Sequence, residues 1–272
     1  MQSPHQPYAA NINANGIRHH YLRYGESNRA HDPIVLIPGI TSPAITWGFV
    51  AQTLGQQFDT YILDVRGRGL SEASDTLDYS LDAQAADIIA FIEAIGIKKA
   101  SILGHSMGAR IAIRAARQTQ SIARIALIDP PVSGPNRRAY PAQLAWYIDS
   151  IALARKGIDK EGMRRFCPTW TDAQLQLRAQ WLHTCDERAI RTSFEGFHTD
   201  DIHADMPHVR QPALLMAAGR GDVIRDEDIA EMRDLMPQLE VVKVPGAGHM
   251  IPWDDEAGFY RALGSFFGAP LN

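Results

Sequence analysis

The stretch "ASILGHSMGARIAIRAA", residues 100–116, decides the fold that this chain is expected to adopt. The apolar run "ASIL" leads into "GHSMG" at 104–108, and an alanine-rich helical pattern follows directly. G-x-S-x-G between a strand and a helix is typical of a nucleophile elbow, in which a strained turn presents the serine hydroxyl. The alternative is a glycine-rich turn that binds an anion at the helix N-terminus. Ser106 is therefore the candidate nucleophile.

The composition is typical of a soluble globular protein. The 272 residues are 45% apolar and 21% charged, which suits one α/β domain with an insertion or two small domains. The net charge of −4 supplies no basic surface, so nucleic acid is not an expected partner.

Membrane and export signals are not expected from the sequence. The stretch "MQSPHQPYAANINANG", residues 1–16, lacks the cationic start and apolar run of a signal peptide. No apolar run approaches the roughly 20 residues that cross a bilayer, so no membrane partner is expected. Cys167 and Cys185 lie apart without a metal-ligand pattern, and two buried thiols fit a reduced, cytoplasmic setting.

Short apolar runs alternate with helical patterns along most of the chain. A hairpin is predicted around the turn at Asn15–Gly16, and a helix with Ser42 as its N-cap is predicted in "SPAITWGFVAQTL". The sixth predicted strand, "IARIALID", ends at Asp129. Apolar strands separated by amphipathic helices predict an α/β fold, with a mostly parallel sheet covered by helices on both faces.

The alternation is interrupted once. Residues 132–208 read as polar and helical, and strand–helix alternation then resumes. The α/β core is therefore expected over 1–131 and 209–272. The helical segment would be a cap inserted after the sixth strand, over the carboxyl edge of the sheet, where such folds bind ligands.

A serine hydroxyl needs an adjacent base, and His249 is the candidate. An elbow of this kind takes its base from a loop after the last strand, and His249 lies in "PGAGHMIPW" after the strand "LEVVKV". An oxyanion hole needs two backbone N–H groups. Met107, directly after the nucleophile, supplies one, and Ile40 in the loop after "IVLI" is the expected second donor.

Two aspartates compete to orient His249. Asp222 follows the strand "PALLMAAG", and Asp129 ends the strand before it. Both obey the chain order Ser–Asp–His and both lie at the carboxyl edge of the sheet. Either aspartate could instead make turn or capping hydrogen bonds, so the sequence leaves the choice open. No H-E-x-x-H or paired C-x-x-C pattern is present, so no metal is expected.

With these residues in place, the whole chain resembles the α/β-hydrolase superfamily and, within it, the N-formylmaleamate deformylases of bacterial nicotinate degradation. The resemblance is densest in five stretches, of which the first and fourth are the most specific: "GITSPAITWGF" (39–49), "LDVRGRGLS" (63–71), "GHSMGAR" (104–110), "DPPVSGPNRRAYP" (129–141) and "AGHMIPWDD" (247–255).

The resemblance implies hydrolysis of a linear amide, the formyl–amide bond, to formate and maleamate, without a metal or cofactor. It also implies that the triad acid follows the earlier strand, which makes Asp129 the expected acid and Asp222 the alternative. The implied substrate is small and carries a carboxylate, for which arginine is a suitable partner. The candidate substrate-binding residues are Arg110, Arg138, Tyr140, Trp146 and His183.

Two other functions remain open. One is a carboxylesterase, an enol-lactone hydrolase or a carbon–carbon bond hydrolase acting on a small carboxylated substrate. The other is a non-catalytic small-molecule receptor on the same scaffold. An aspartate at the elbow would point to dehalogenation or epoxide hydrolysis, and Ser106 favours acyl transfer to water instead.

Overall fold

A computed structural model describes residues 8–26 and 30–271 of the chain. Residues 1–7, on which part of the signal-peptide argument depends, lie outside the described residues. The described residues form the strands β1 (Tyr8–Ala14), β2 (Ile17–Tyr24), β3 (Ile34–Ile37), β4 (Thr60–Leu63), β5 (Ala100–His105), β6 (Ile122–Ile128), β7 (Ala213–Ala218) and β8 (Leu239–Val244). These eight strands form one sheet in the order β1-β2-β4-β3-β5-β6-β7-β8.

The helices follow the strands in the predicted alternation. They are α1 (Gly48–Leu54), α2 (Leu81–Ala94), α3 (Met107–Ala116), α4 (Leu144–Arg155), α5 (Lys160–Arg164), α6 (Asp172–Trp181), α7 (Glu187–Thr199), α8 (Asp226–Leu235), α9 (Ile251–Asp254) and α10 (Glu256–Phe267). The hairpin of β1 and β2 and the pairing of β2 with β4 are antiparallel, and the pairs from β4 to β8 are parallel. The prediction of a mostly parallel sheet in an α/β fold is confirmed.

The sheet packs against apolar side chains on both faces, and every residue of its central strands β3, β4 and β5 is buried. Successive side chains of a strand point to opposite faces. Val35 and Ile37 accordingly join one apolar cluster, with residues of α2, α3 and α8. Ile34 and Leu36 join a second cluster, with residues of α1 and α10. Helices therefore cover both faces, as the continuous apolar strands predicted.

The helices α4 to α7 lie in the segment between β6 and β7 that was predicted to be a cap. Their buried residues Ile151, Leu175 and Phe197 belong to the same apolar cluster as Ile37 and Leu127 of the sheet. The inserted segment is thus packed on the sheet through a shared apolar layer. The division into a core and a cap at residues 132 and 208 stays a prediction. Among the described residues, no helix has the length and apolarity to span a bilayer.

The predicted helix start at Ser42 is wrong. Residues Ala44–Trp47 form a turn of 3-10 helix whose N-cap residue is Pro43, and α1 begins only at Gly48. The carboxylate of Asp64, which follows β4, accepts a hydrogen bond from the Ala44 N–H at 2.6 Å. Asp64, twenty positions away in the chain, therefore accepts the hydrogen bond that a local capping side chain would have accepted. No local sequence pattern indicates such a distant acceptor.

The contact between α3 and β3 generates the first prediction. A Cβ added to Gly108 would lie 2.0 Å from the carbonyl oxygen of Ile37, whereas one added to Gly134 would meet no atom closer than 3.4 Å. Gly108→Ala should therefore force α3 away from β3 and lower the free energy of unfolding by about 3 kcal/mol or more. Gly134→Ala is the control, with an expected change within about 0.5 kcal/mol. Urea denaturation measures both, and equal stabilities of the two variants would contradict the prediction.

Candidate active site

Four loops at the carboxyl edge of the sheet supply the candidate site. Ser106 follows β5, Asp129 follows β6, His249 follows β8, and Ile40 lies in the loop after β3. Parallel strands end at the same edge of a sheet, and β3, β5 and β6 are neighbours in the strand order. Residues far apart in the chain are thereby brought together at one edge of the fold.

The turn at Ser106 has the strained backbone of a nucleophile elbow. Ser106 has φ of 53° and ψ of −115°, a conformation that costs a side-chain-bearing residue of order 1–3 kcal/mol. A Cβ on Gly104 would lie 2.4 Å from the carbonyl oxygen of Gly108, and one on Gly108 would meet β3. Only glycine at both positions lets strand and helix approach so closely, which is why the motif takes this form.

The hydrogen bonds of His249 define its tautomer. Its Nδ1 lies 2.8 Å from Oδ2 of Asp129, and its Nε2 lies 3.1 Å from Oγ of Ser106. Because a carboxylate only accepts hydrogen bonds, Nδ1 carries the proton and donates to Asp129. Nε2 is then unprotonated and accepts from the Ser106 hydroxyl, which is the arrangement a general base requires.

The two candidate aspartates have different surroundings. Asp129 is fully buried, and its Oδ1 accepts a hydrogen bond from the Ala218 N–H at 3.1 Å. The side chain of Asp222 is 59% exposed and pairs with Arg225 at 2.7 Å. The hydrogen bond from the Arg225 guanidinium lowers the pKa of the Asp222 carboxyl below its usual range. Asp129 therefore contacts His249, whereas Asp222 is held by a surface arginine.

The two expected oxyanion donors are close to Ser106 in the chain or in the cavity. Met107 is the first residue of α3, so its N–H is one of those that a helix leaves without an intrahelical acceptor. Ile40 is buried and lines the cavity described below together with Ser106. The positive end of the α3 dipole adds to the preference for negative charge at this point.

A buried arginine braces the loop that contains Ile40. Arg68, which is 1% exposed, donates from Nε to the Ile40 carbonyl at 3.1 Å. Its Nη2 donates to the Ala189 carbonyl and the Ser193 hydroxyl of α7. Burial lowers the pKa of Arg68 to about 10, so the group remains a cation near neutral pH. The oxyanion loop and the inserted segment are thus joined through one side chain.

His105 contacts both the backbone and the ring of His249. Its Nε2 donates to the His249 carbonyl at 3.0 Å, and its ring lies 4.9 Å from the His249 ring between centroids. Complete burial, together with the nearby His249, lowers the pKa of His105 to about 3. His105 is therefore a neutral positioning group at ordinary pH.

A cavity of about 560 Å³ opens above Ser106 and His249, within the size range of small-molecule sites. Its floor is formed by the loops after β3, β5 and β8, and its roof by the segment between β6 and β7. It is lined by Gly39, Ile40, Thr41, Ser42, His105, Ser106, Tyr140, Pro141, Ala142, Gln143, Trp146, Tyr147, Phe166, Cys167, Pro168, Thr169, Trp170, Arg178, Asp222, Val223, His249, Met250 and Asp254.

Two of the five predicted substrate-binding residues line this cavity. The Tyr140 hydroxyl lies 3.4 Å from Nε2 of His249 and 3.3 Å from the Tyr147 hydroxyl. Burial raises the pKa of Tyr140 well above its usual value, so this hydroxyl keeps its proton. Trp146 lines the wall and packs edge-on against Tyr147 and Phe166.

The other three predicted binding residues, Arg110, Arg138 and His183, are not among the described residues that line the cavity. Arg110 is buried and donates to the carbonyls of Pro131 and Ser133, and to two more at the end of α7. Arg138 pairs with Asp228 at the start of α8. His183 is exposed on a short 3-10 turn. Arg110 and Arg138 are therefore held by contacts within the protein, and His183 is exposed to solvent.

The sequence interpretation missed Arg178 of α6, which lines the cavity and is 3% exposed. A signal for it was present. Leu175, Arg178, Ala179 and Leu182 follow the i, i+3, i+4, i+7 spacing of a buried helix face, and all four are buried. Because arginine is rarely buried, its place on this apolar stripe distinguishes Arg178 from the other arginines of the segment as a candidate substrate-binding residue.

The chain belongs to the alpha/beta hydrolase family, which it matches over residues 34–262. It is 61% identical over 262 residues to N-formylmaleamate deformylase of Pseudomonas putida strain KT2440, covering 96% of this chain and 97% of that enzyme. The crystal structure of a serine-to-alanine variant of the deformylase Nfo from Pseudomonas putida S16 superposes with a TM-score of 0.90. Its sequence identity is 53%, over 94% of this chain and 99% of that one.

A more distant relative has a related name. The 2-(acetamidomethylene)succinate hydrolase of Mesorhizobium japonicum is 26% identical over 228 residues, which cover 78% of this chain and 80% of that enzyme. The resemblance predicted from the sequence is confirmed by the deformylase matches. The predicted α/β-hydrolase fold is confirmed by the family match and by the deformylase structure.

The burial of His105 leads to a prediction about acid stability. The unfolded chain takes up a proton at the usual histidine pKa of about 6.5, whereas native His105 does so only near pH 3. The unfolded state therefore binds more protons in this window, and His105 lowers the free energy of unfolding as pH falls below 6.5. Its contribution to the slope reaches up to about 1.4 kcal/mol per pH unit.

Urea denaturation of wild type and His105→Gln at several pH values between 4 and 7.5 measures this contribution. The glutamine amide can still donate to the His249 carbonyl, so the variant should gain stability relative to wild type as the pH falls. His208→Gln, at an exposed position, is the control and should follow the wild-type profile. Parallel profiles of wild type and His105→Gln would refute the prediction.

Proposed function

We propose that this protein hydrolyses the formyl–amide bond of N-formylmaleamate to maleamate and formate. The observation that carries the proposal is the 61% identity over 96% of the chain to an enzyme of that name. The local geometry supports it, because a serine within hydrogen-bond distance of a histidine lies beneath a cavity with mainly apolar walls. Such a site suits acyl transfer to water.

In this proposal Ser106, His249 and Asp129 act as a catalytic triad. The Ser106 hydroxyl attacks the formyl carbon while Nε2 of His249 accepts its proton. Asp129 keeps Nδ1 protonated and stabilises the imidazolium that forms, and the 2.8 Å hydrogen bond between them supports this role. The complete burial of Asp129 strengthens the interaction, since little water competes for the carboxylate.

The N–H groups of Met107 and Ile40 are the proposed oxyanion hole. They would stabilise the negative oxygen of the tetrahedral intermediate, and removal of one such donor in a hydrolase typically costs about 10²- to 10³-fold in turnover. The Arg68 contact with the Ile40 carbonyl supports this assignment, because it restrains the Ile40–Thr41 peptide, which is adjacent to the peptide that carries the Ile40 N–H.

The leaving group suits a serine hydrolase. The scissile nitrogen is also bonded to the maleamate carbonyl, which withdraws its lone pair and makes the formyl carbon more electrophilic than in a simple amide. Protonated His249 donates its proton to this nitrogen as the carbon–nitrogen bond breaks, and maleamate leaves. Water, deprotonated by His249, then attacks the formyl ester of Ser106 and releases formate.

Several expectations from the sequence remain predictions. They are a reaction without metal or cofactor, a cytoplasmic setting, and the absence of nucleic-acid and membrane partners. Cys167 and Cys185 are free and buried, which fits the reduced setting on which the cytoplasmic expectation depends. Activity in the presence of a chelator and cell fractionation test the first two expectations.

Formate release is the direct test of the substrate. Purified protein should produce one formate for each N-formylmaleamate consumed, as measured with a formate dehydrogenase coupled assay. Ser106→Ala should reduce turnover by about 10⁵- to 10⁶-fold, because the nucleophile is lost while binding remains. Cleavage of short p-nitrophenyl esters without formate release would instead favour the carboxylesterase alternative. Undiminished biological activity of Ser106→Ala would favour a receptor.

The two aspartates allow a matched test of the triad acid. Asp129→Asn should lower kcat by about 10⁴-fold, because an amide next to Nδ1 favours the wrong histidine tautomer. Asp222→Asn removes an exposed ion pair with Arg225 and should leave kcat within a few-fold of wild type. Steady-state formate release from both variants makes the comparison. A severe loss in Asp222→Asn alone would overturn the assignment of Asp129.

A further inference from the structure

Arg178 is a buried cation at the wall of the cavity. It lies on the buried face of α6 and is 3% exposed. Its Nη1 donates to the Thr41 carbonyl and its Nη2 to the Thr41 hydroxyl, both at 3.2 Å. Its Cζ lies 5.8 Å and 5.6 Å from the ring centroids of Trp146 and Trp170. The guanidinium is therefore held in place on several sides.

The hydrogen-bonding capacity of this guanidinium is only partly used. Arginine has five N–H donors, and the two contacts with Thr41 account for two of them. Its Nε is buried and has no hydrogen-bond partner, and no carboxylate among the described residues forms an ion pair with it. A buried cation without a counter-ion is costly, so a guanidinium that lines the cavity and makes only two hydrogen bonds to the described residues indicates a site that an anion completes.

Two other buried arginines without a carboxylate ion pair provide the comparison. Arg68 and Arg110 each donate to several backbone carbonyls, and neither belongs to the described lining of the cavity. Their guanidinium groups join parts of the protein to one another. Arg178 differs because it lines the cavity and makes two hydrogen bonds, whereas Arg68 and Arg110 each make at least four.

The acidic residues around the cavity do not neutralise Arg178. Asp222 pairs with Arg225. Asp254 accepts hydrogen bonds from the Gly248 N–H at 2.8 Å and from the Thr169 hydroxyl at 2.9 Å. The positive charge of Arg178 is thus available to a ligand, within walls of low polarity that strengthen its attraction for an anion.

We propose that Arg178 binds the carboxylate of the substrate, and this proposal rests on the proposed deformylation of N-formylmaleamate. Thr41, which anchors the guanidinium, is the residue after the oxyanion donor Ile40. The carboxylate site and the site of bond cleavage are therefore attached to the same loop. This arrangement favours substrates that carry a carboxylate, because an uncharged analogue would leave Arg178 buried without its anion.

The test compares maleamate, the product that retains the carboxylate, with its uncharged diamide, maleamide. Arg178→Met keeps an unbranched apolar side chain between the helix and the tryptophans. Titration calorimetry should show that this substitution weakens maleamate binding by about 30-fold or more, with maleamide binding changed by less than about 3-fold. Of the four combinations of wild type or Arg178→Met with maleamate or maleamide, only wild type with maleamate contains the guanidinium–carboxylate interaction. The substitution should therefore weaken the binding of maleamate selectively.

Two further variants keep the experiment decisive. Arg191→Met changes an exposed arginine of the same segment and should leave both affinities at wild-type values. Arg178→Lys retains the charge without the planar fork and should weaken maleamate binding less than Arg178→Met does. It carries the test if the methionine variant does not fold, as judged by circular dichroism. Equal weakening of both ligands, or of neither, by the Arg178 variants would overturn the proposal.

Binding and turnover separate this proposal from the proposed function. If wild type releases no formate from N-formylmaleamate, the deformylase proposal fails, yet selective maleamate binding through Arg178 can still be measured. If formate is released but Arg178→Met raises the KM for N-formylmaleamate by less than about 3-fold, the deformylase proposal stands and the role of Arg178 is refuted.

Discussion

The close contact between helix α3 and strand β3 is the constraint on which the site depends. Gly108 lies against the Ile37 carbonyl with no space for a Cβ, so the chain must turn sharply between β5 and α3. That turn holds Ser106 at φ of 53° and brings the first N–H of α3 next to the loop after β3. The strain is sustained by burial, since every residue of β5 and α3 is buried. One packing contact thereby positions the proposed nucleophile and both proposed oxyanion donors.

Three buried arginines join the inserted helical segment to this framework. Arg68 joins the Ile40 loop to α7, and Arg110 joins α3 to the two ends of the segment. Arg178 joins α6 to Thr41. Because Arg178 donates to the carbonyl and hydroxyl of Thr41 rather than to a carboxylate, its positive charge is retained at the wall of the cavity. An anionic substrate is favoured by such a site, and this agrees with the carboxylate that the proposed substrate carries.

Local signals in the sequence account for most of the fold and for part of the site. The elbow motif, the apolar strands and the late histidine each have short-range patterns, and they lead directly to the sheet, Ser106 and His249. The helix start at Ser42 was wrong because the competing acceptor, Asp64, comes from another strand end. The choice of Arg110 and Arg138 as substrate-binding residues followed chain proximity to the motifs. Both side chains instead contact neighbouring parts of the protein.

The sequence by itself determined the class of fold and pointed to Ser106 and His249 as the candidate nucleophile and base, because each of these signals is a short local pattern. Only the tertiary structure decided which aspartate contacts His249. Asp129 and Asp222 both follow adjacent parallel strands, so their positions in the chain are equivalent by pattern. They differ in the direction of the side chain and in its partner, since one is buried against Ala218 and the other is paired with Arg225 in solvent. Those differences arise from packing between elements distant in sequence.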